Sequence, residues 1–242
     1  MGQEILKTHG AGKRWLLVVA VPAEARAVRA GLEDTKAGAS FEYWAPAPIG
    51  DRFELLMSGI GKANAAGAVA RVLDPRRYAG VINLGVCGAL PSATPLQIGE
   101  AIVATESVFA DEGSSTPDGF IDLASMGFPP DMGANEPGSQ SVVTDARLIE
   151  TIGAVVTRRG GIATVSVCSG TDAHAGDIAR RTGAIGEAME GAAVGLAALR
   201  VAGPAFPFAE VRIVSNTTGD RARQVWDLPR AFQRLRELAS AL

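Results

Sequence analysis

Short apolar runs alternate with alanine-rich or amphipathic stretches along most of the chain. A run such as 15–21, which is apolar at every position, is typical of a strand buried on both faces. The stretch that follows it, 23–32, contains good helix formers, and Pro22 suits a helix start. The same criteria predict strands at 15–21, 53–57, 80–84, 98–105, 108–109, 161–167 and 208–214, and helices at 23–32, 63–73, 146–158, around Glu190 and at 228–242.

Strands that alternate with helices predict an α/β fold with a mostly parallel sheet covered on both faces. The 242 residues suffice for one large domain, so we divide the chain into a polar tail at 1–14 and a single domain at 15–242. Residues 111–140 are dense in Gly, Pro, Asp and Ser and are predicted to form a long connection that is functional or contacts a partner.

Several polar or glycine positions come directly after predicted strands, where ligands bind in open α/β sheets. They are Glu24, Ser58, Gly85, Ser169 and Ser215-Asn216. Residues 85–89 (Gly-Val-Cys-Gly-Ala) are interpreted as a glycine-spaced turn after the third strand. This shared placement predicts a binding site at one edge of the sheet.

Glu190 stands out because almost all residues of 188–199 around it are small or apolar. A buried carboxylate needs fixed hydrogen-bond donors, which a sugar diol could supply. A Glu in the first turn of a helix, exposed to water and favoured by the helix dipole, would give the same pattern. This stretch alone leaves both interpretations open.

Composition excludes several classes of function. The 23 Lys and Arg against 26 Asp and Glu give a formal charge of −3, which disfavours nucleic acid as a partner. Two histidines leave no zinc site and no Ser/His/Asp triad, so we expect neither a metal nor another cofactor. Cys87 and Cys168 are interpreted as reduced core thiols of a cytoplasmic protein. Neither a membrane span nor a secretory signal is apparent.

Residues 58–62 (Ser-Gly-Ile-Gly-Lys) superficially resemble a phosphate loop but lack its spacing, and the chain has no Gly-x-Gly-x-x-Gly fingerprint. A plain strand-to-helix turn explains them equally well. Together with four other segments, however, they resemble motifs of the nucleoside phosphorylase and nucleosidase superfamily. The matching segments are 20–24 (Ala-Val-Pro-Ala-Glu), 58–62, 83–88 (Asn-Leu-Gly-Val-Cys-Gly), Met189-Glu190 and 212–216 (Arg-Ile-Val-Ser-Asn).

The resemblance implies a three-layer α/β/α domain with a mixed, mostly parallel sheet, a small-molecule nucleoside substrate and a homo-oligomer. It also implies roles for the matching residues. Glu24 would activate water, and Glu190 would hold the ribose hydroxyls with Met189 packed against the sugar. The backbone around Cys87 and Gly88 would border the base, as would Ser215 and Asn216. Arg212 would orient Glu24 or its water, although a structural ion pair explains it nearly as well.

The resemblance implies an Asp at this position in the adenine-specific nucleosidases, whereas this chain has Asn216. An amide offers one acceptor and one donor, so Asn216 suits a 6-oxopurine with a protonated N7 and an O6 acceptor. Segments in 111–129, and 215–221 with Trp226, further resemble the futalosine hydrolase family. That resemblance implies hydrolysis of futalosine to hypoxanthine and dehypoxanthine futalosine in menaquinone biosynthesis.

Three alternatives stay open on the sequence. A phosphorylase could use Arg26 and Arg29 to hold phosphate, although Glu24 would repel that anion. A nucleosidase for methylthioadenosine, adenosylhomocysteine or aminofutalosine is disfavoured by Asn216. A nucleoside-binding or storage protein on the same fold would have no need to combine Glu24, Glu190 and Asn216.

Overall fold

The computed structural model describes residue 6 and residues 12–32, 41–128, 140–156 and 158–242. Most of the predicted tail at 1–14 therefore lies outside the described residues. Leu6 is an exception, and its side chain is buried in the main hydrophobic cluster.

The described residues form eleven strands and six helices. The strands are β1 (Arg14–Val19), β2 (Ala47–Ile49), β3 (Phe53–Met57), β4 (Tyr78–Ala89), β5 (Ala101–Phe109), β6 (Gly113–Thr116), β7 (Gly119–Asp122), β8 (Ser141–Val143), β9 (Arg158–Thr164), β10 (Gly186–Ala188) and β11 (Phe208–Thr217). The helices are α1 (Pro22–Leu32), α2 (Lys62–Val72), α3 (Ala146–Gly153), α4 (Asp172–Thr182), α5 (Gly191–Ala202) and α6 (Leu228–Ser240).

The main sheet is mixed, with strand order β10-β9-β5-β11-β4-β1-β3-β2 and β8 added beside β5. The central ladders of β4 with β1 and β11 are parallel, whereas β5 runs antiparallel to β11. The short strand β10 pairs with β9 on one side and with β4 on the other. This second pairing closes half of the sheet on itself, which the sequence analysis did not predict.

Helices cover both faces of the sheet, as the alternating side chains of β1 show. Trp15 and Leu17 belong to the cluster formed with α1 and α6, whereas Leu16 and Val18 belong to the cluster formed with α2 and α5. A strand buried on both faces reads as a continuous apolar run, which is why β1 could be predicted. The three-layer α/β/α prediction is confirmed.

Three sequence predictions need correction, and a fourth gains detail without being contradicted. β4 continues through 85–89, so these residues form no turn, and Gly85 and Gly88 lie inside the strand. β11 likewise continues to Thr217, and Ser215 and Asn216 belong to it. The helix predicted at 146–158 ends at Gly153, and β9 begins at Arg158. The connection 111–140 contains the β6–β7 hairpin, and its residues 129–139 lie outside the described part.

Helix α4 and strand β10 were not predicted. Helix α4 is capped by the hydroxyl of Thr171 at its start and by left-handed Gly183 at its end. Its sequence is dominated by polar and small residues, and it buries only Ala175 and Ile178 within its own span. Three residues are too few for β10 to show a period-2 pattern.

Helices α1 and α6 approach closely at Gly31. A Cβ there would overlap the Arg236 carbonyl oxygen and lie 2.8 Å from Cβ of Ala239. Gly176, in the middle of α4, has open space at the same position. We predict that Gly31→Ala destabilises the protein by about 1–3 kcal/mol through overpacking, and that Gly176→Ala stabilises it by about 0.5–1 kcal/mol through helix propensity. Urea unfolding of the two variants measures both, and equal effects would contradict the close α1–α6 approach.

Candidate active site

The side chain of Arg212 lies at the centre of the molecule and is 1% exposed. Its Nε donates to Oε1 of Glu210 at 2.7 Å, and its Nη2 donates to Oδ1 of Asn83. Its Nη1 lies 3.4 Å from Oε2 of Glu190. Burial alone would lower the pKa of Arg212, but the neighbouring carboxylates raise it. The guanidinium therefore stays charged and joins residues from β4, β11 and the start of α5.

Glu210 is the nearest counter-charge of Arg212 and is fully buried. Its second oxygen accepts a hydrogen bond from the hydroxyl of Ser107. Gly191, the first residue of α5, packs directly on this carboxylate, and a Cβ at this position would overlap it. The start of α5 can therefore come close to the sheet only because residue 191 is a glycine.

Glu24 lies in the first turn of α1 and is 3% exposed. Its Oε2 accepts from the backbone N–H groups of Ala20 (2.9 Å) and Val21 (3.2 Å), and its Oε1 accepts from that of Val86 (3.0 Å). Burial raises the pKa of Glu24 above 4.5, with Arg212 opposing the change and Glu190 adding to it. Backbone donors therefore fix the carboxylate, while its surroundings favour proton uptake.

Gly85 lies between Glu24 and Arg212. A Cβ at this position would lie 2.5 Å from Nη1 of Arg212 and 2.6 Å from Oε1 of Glu24. Both side chains thus cross the backbone of β4 at a residue that has no side chain. The glycine serves close packing inside a strand here, and not a turn.

Glu190 is buried, as the first of the two interpretations of its sequence required, and it is not exposed to water. It is the N-cap residue of α5, but its side chain makes no capping hydrogen bond and is 5% exposed. One oxygen accepts from the backbone N–H of Gly61 at 3.0 Å, and the other faces Arg212. Gly61 has φ +91°, a backbone conformation that favours glycine. The loop at 58–62 therefore holds a carboxylate of the protein itself.

A cavity of about 320 Å³ lies further along β4 and β11, where Gly88 is the register partner of Asn216, three residues of β4 beyond the Gly85–Arg212 pair. It is lined by Gly88, Cys168, Ser169, Gly170, Glu187, Asn216, Arg221, Gln224 and Trp226. Asn216 is held at both ends, because its Oδ1 accepts from the Ser215 hydroxyl and its Nδ2 donates to the Thr217 carbonyl. Volume and mixed lining are compatible with a small organic ligand.

The segment after β11 covers this cavity. The side-chain amide of Gln224 donates to the carbonyl oxygen of Ser169 at 2.8 Å. The backbone N–H of Arg221 donates to the carbonyl oxygen of Gly170 at 3.0 Å. The guanidinium of Arg221 lies 4.9 Å from the ring centroid of Trp226. These contacts fasten the segment to the loop before α4 and so enclose the cavity.

The residues predicted from the sequence fall into two groups. Glu24, Glu190 and Arg212 come together in the charged cluster. The cavity group contains Asn216 and Gly88, with Ser215 behind Asn216. Cys87 is buried with a pKa raised to about 12 by its burial, and its carbonyl accepts from Ser215. Met189 packs against a separate cluster around Leu90 and Val165, and does not line the cavity.

Sequence reasoning gave no role to several polar residues of the site and misplaced one thiol. Asn83 and Glu210 bind Arg212, and Glu187 lines the cavity. Glu210 could have been suspected, because it lies two residues before Arg212 and so faces the same side of β11. Cys168 was predicted to be a core thiol, but it is exposed and lines the cavity, because β9 ends at Thr164 before reaching it.

Within 12–32, 41–128, 140–156 and 158–242, no group of three or more His, Cys, Asp or Glu side chains could hold a metal ion. No helix in these ranges is long and apolar enough to span a bilayer.

Comparisons with known proteins define the class. The family model described as the phosphorylase superfamily matches residues 14–242. The futalosine hydrolase of Acidothermus cellulolyticus is 38% identical over 232 residues, which cover 94% of this chain and 89% of the relative. The chain belongs to the phosphorylase superfamily. Within it, the chain belongs with the futalosine hydrolases and is an N-glycosyl hydrolase.

Solved structures support the fold. A futalosine hydrolase mutant of Helicobacter pylori superimposes with a TM-score of 0.71 at 16% identity and covers 95% of this chain and 97% of that one. The 5′-methylthioadenosine/S-adenosylhomocysteine nucleosidase of S. pneumoniae, solved with a transition-state inhibitor, gives a TM-score of 0.70 at 20% identity, with 94% and 99% covered. These similarities confirm the nucleosidase-like α/β fold with its mixed sheet.

The raised pKa of Glu24 predicts a pH-dependent contribution to stability. Between pH 4.5 and the raised value, the native state binds more protons than the unfolded chain, so the contribution of Glu24 falls as pH rises. Glu24→Gln lacks this dependence. We predict that its free energy of unfolding, relative to wild type, increases from acidic to neutral pH in urea titrations.

Glu237→Gln, on an exposed part of α6, controls for the general loss of a carboxylate. A constant offset between Glu24→Gln and wild type at every pH would contradict the raised pKa, whatever the sign of that offset.

Proposed function

We propose that this protein hydrolyses the N-ribosidic bond of futalosine to hypoxanthine and dehypoxanthine futalosine, a step of menaquinone biosynthesis. One observation carries the proposal: two buried carboxylates, Glu24 and Glu190, flank the guanidinium of Arg212 next to a cavity lined by Asn216. The futalosine hydrolase relative at 38% identity supports the choice of substrate.

In the proposed mechanism the C1′–N9 bond weakens first and positive charge develops on the ribose. Glu190 binds the ribose hydroxyls, and its negative charge stabilises the developing cation. Glu24 orients a water molecule at C1′ and accepts its proton, and a general base of this kind contributes about 10²- to 10⁴-fold. The raised pKa of Glu24 supports this role, since it makes the carboxylate a better proton acceptor.

Water is favoured over phosphate as the nucleophile. Arg212 is already paired with Glu210 and faces Glu190, so it offers little positive charge to an anion. Arg26 and Arg29 of α1 are the two residues that could hold phosphate. Arg26 is exposed, and the guanidinium of Arg29 lies 5.7 Å from the Phe41 ring centroid. A phosphate beside Glu24 would also be repelled.

Asn216 is proposed to bind the base. Its amide can donate to O6 and accept from a protonated N7, and hydrogen bonds from Ser215 and to Thr217 fix which atom faces which side. An amide cannot itself supply the proton, so N7 takes it from solvent. The leaving group is then neutral hypoxanthine.

We further propose one nucleosidase domain over residues 15–242, acting in the cytoplasm as a homo-oligomer. Two exposed apolar side chains next to the site support association: Ile60 is 54% exposed and Val167 is 65% exposed. Ile60 lies in the loop at 58–62 that holds Glu190, and Val167 adjoins Cys168 at the cavity. A second copy covering them would also shield the substrate from solvent.

A substrate panel tests the proposed function. Purified protein is assayed with futalosine, aminofutalosine, inosine and methylthioadenosine, each with and without phosphate. We expect the highest kcat/KM for futalosine, with hypoxanthine released at the same rate in the absence of phosphate. Glu24→Gln should lose at least about 10²-fold in kcat and still bind futalosine. Phosphate-dependent release would point to a phosphorylase, and binding without hydrolysis of any nucleoside would point to a storage protein.

Asn216→Asp tests the proposed base contact. A protonated Asp can donate to N7, and its other oxygen can accept from a 6-amino group. We therefore predict that the ratio of kcat/KM for futalosine to that for aminofutalosine falls by about tenfold or more. Ser92→Ala, whose hydroxyl binds only the nearby Thr94 carbonyl among the described residues, serves as control. An unchanged ratio would show that Asn216 does not select the base.

A further inference from the structure

Glu187 is a buried carboxylate that the mechanism above does not use. It lies on β10, is 5% exposed and lines the cavity. Its Oε1 accepts from the backbone N–H of Ser169 at 2.8 Å, and its Oε2 accepts from the hydroxyl of the same residue at 2.6 Å. A carboxylate has about four acceptor sites. Since these two hydrogen bonds fill only two of them, Glu187 keeps the capacity to accept a donor from the cavity.

The sheet places Glu187 opposite Asn216. Gly88 of β4 is the register partner of Glu187 on β10 and also of Asn216 on β11. Three neighbouring strands thus carry these residues side by side, with the glycine in the middle. Adjacent strands lie about 4.8 Å apart, so the two outer backbones are about 10 Å apart.

Gly88 has no side chain of its own, so the side chains of Asn216, Glu187 and Thr218 all approach it on the same side of the sheet. A Cβ on Gly88 would lie 2.7 Å from Cγ2 of Thr218, which packs against the glycine. The same Cβ would lie 3.1 Å from Nδ2 of Asn216 and 3.5 Å from Cγ of Glu187. Both side chains therefore stand on the same side of the sheet and flank the same small area. Because Gly88, Asn216 and Glu187 line the same cavity, a flat ring bound in it would meet an amide at one edge and a carboxylate at the other.

We propose that Glu187 selects 6-oxopurines by accepting a hydrogen bond from N1–H while Asn216 binds O6 and N7. The inference rests on the proposed function, because it assumes that the base occupies this cavity. Hypoxanthine carries a proton on N1, whereas N1 of adenine is an acceptor. Glu187 therefore pairs with the first base and repels the second, which discriminates more strongly than Asn216 alone.

A purely structural role is the alternative, in which Glu187 only ties the loop at Ser169 to the sheet. The two roles predict different effects of a Glu187 substitution on the affinity for hypoxanthine and for adenine. Loss of a structural tie would weaken hypoxanthine and adenine alike. Loss of an N1–H acceptor would weaken hypoxanthine alone, and a Gln at this position could donate to N1 of adenine.

The test measures the Kd of hypoxanthine, 1-methylhypoxanthine and adenine by calorimetry for wild type, Glu187→Gln and Ser169→Ala. Ser169→Ala is the matched variant, because it removes one hydrogen bond to Glu187 but keeps the carboxylate. In Glu187→Gln we expect hypoxanthine to bind about 10- to 100-fold more weakly, and adenine to bind as tightly as in wild type or more tightly. Ser169→Ala should keep the wild-type preference for hypoxanthine over adenine.

An equal loss for both bases in Glu187→Gln would overturn the proposal. A second test uses wild type alone and does not depend on whether a variant folds. Because 1-methylhypoxanthine lacks the N1 proton, it should bind to wild type far more weakly than hypoxanthine. Equal binding of the two would also overturn the proposal. Failure of the proposed function gives a different result, because wild type would then not hydrolyse futalosine, while the binding of free bases would still report on Glu187.

Discussion

The buried guanidinium of Arg212 is the interaction on which the rest of the site depends. Moving a charge out of water is costly unless it is paired and hydrogen-bonded, and Arg212 meets this requirement through Glu210, Glu190 and Asn83. These partners come from β11, β4 and the start of α5. Removing Glu210 would leave the buried guanidinium without its nearest counter-charge, and removing Arg212 would leave the buried carboxylates without theirs. The charge cluster therefore fixes the relative positions of three elements more strictly than apolar packing would.

The cluster contains more negative than positive charge. This imbalance is unfavourable for stability but useful for function. Glu210 alone could neutralise Arg212, and its buried ion pair at 2.7 Å does so most directly. Glu190 is held in addition by Gly61, but Glu24 receives only backbone donors and partial compensation from Arg212. Its pKa is raised as a result. A buried carboxylate that is costly to keep charged is well suited to accept a proton during catalysis.

Much of the fold could be predicted from the sequence, because strands buried on both faces are continuous apolar runs. The strand β3 was predicted at its exact bounds, and Glu24 was correctly placed at the start of α1. What the sequence did not show depends on pairing between distant residues. Nothing in the local pattern of β10 indicates that it pairs with β4, and glycines inside β4 look like a turn until their neighbours are known. Glu187 was missed for this reason.

The two halves of the site depend on different parts of the fold. The charged cluster around Arg212 joins the central strands to helix starts, whereas the cavity depends on the closure of the sheet by β10 against β4. Glu187 and Asn216 lie on β10 and β11, on either side of Gly88, whereas Glu24 lies on α1 and Glu190 is the N-cap of α5. The base contacts and the catalytic carboxylates therefore belong to different elements. Bond cleavage is common to purine nucleosides, and the base distinguishes them. A fold that separates the two tasks can retain its chemistry while its base preference changes at the row of residues 187, 88 and 216.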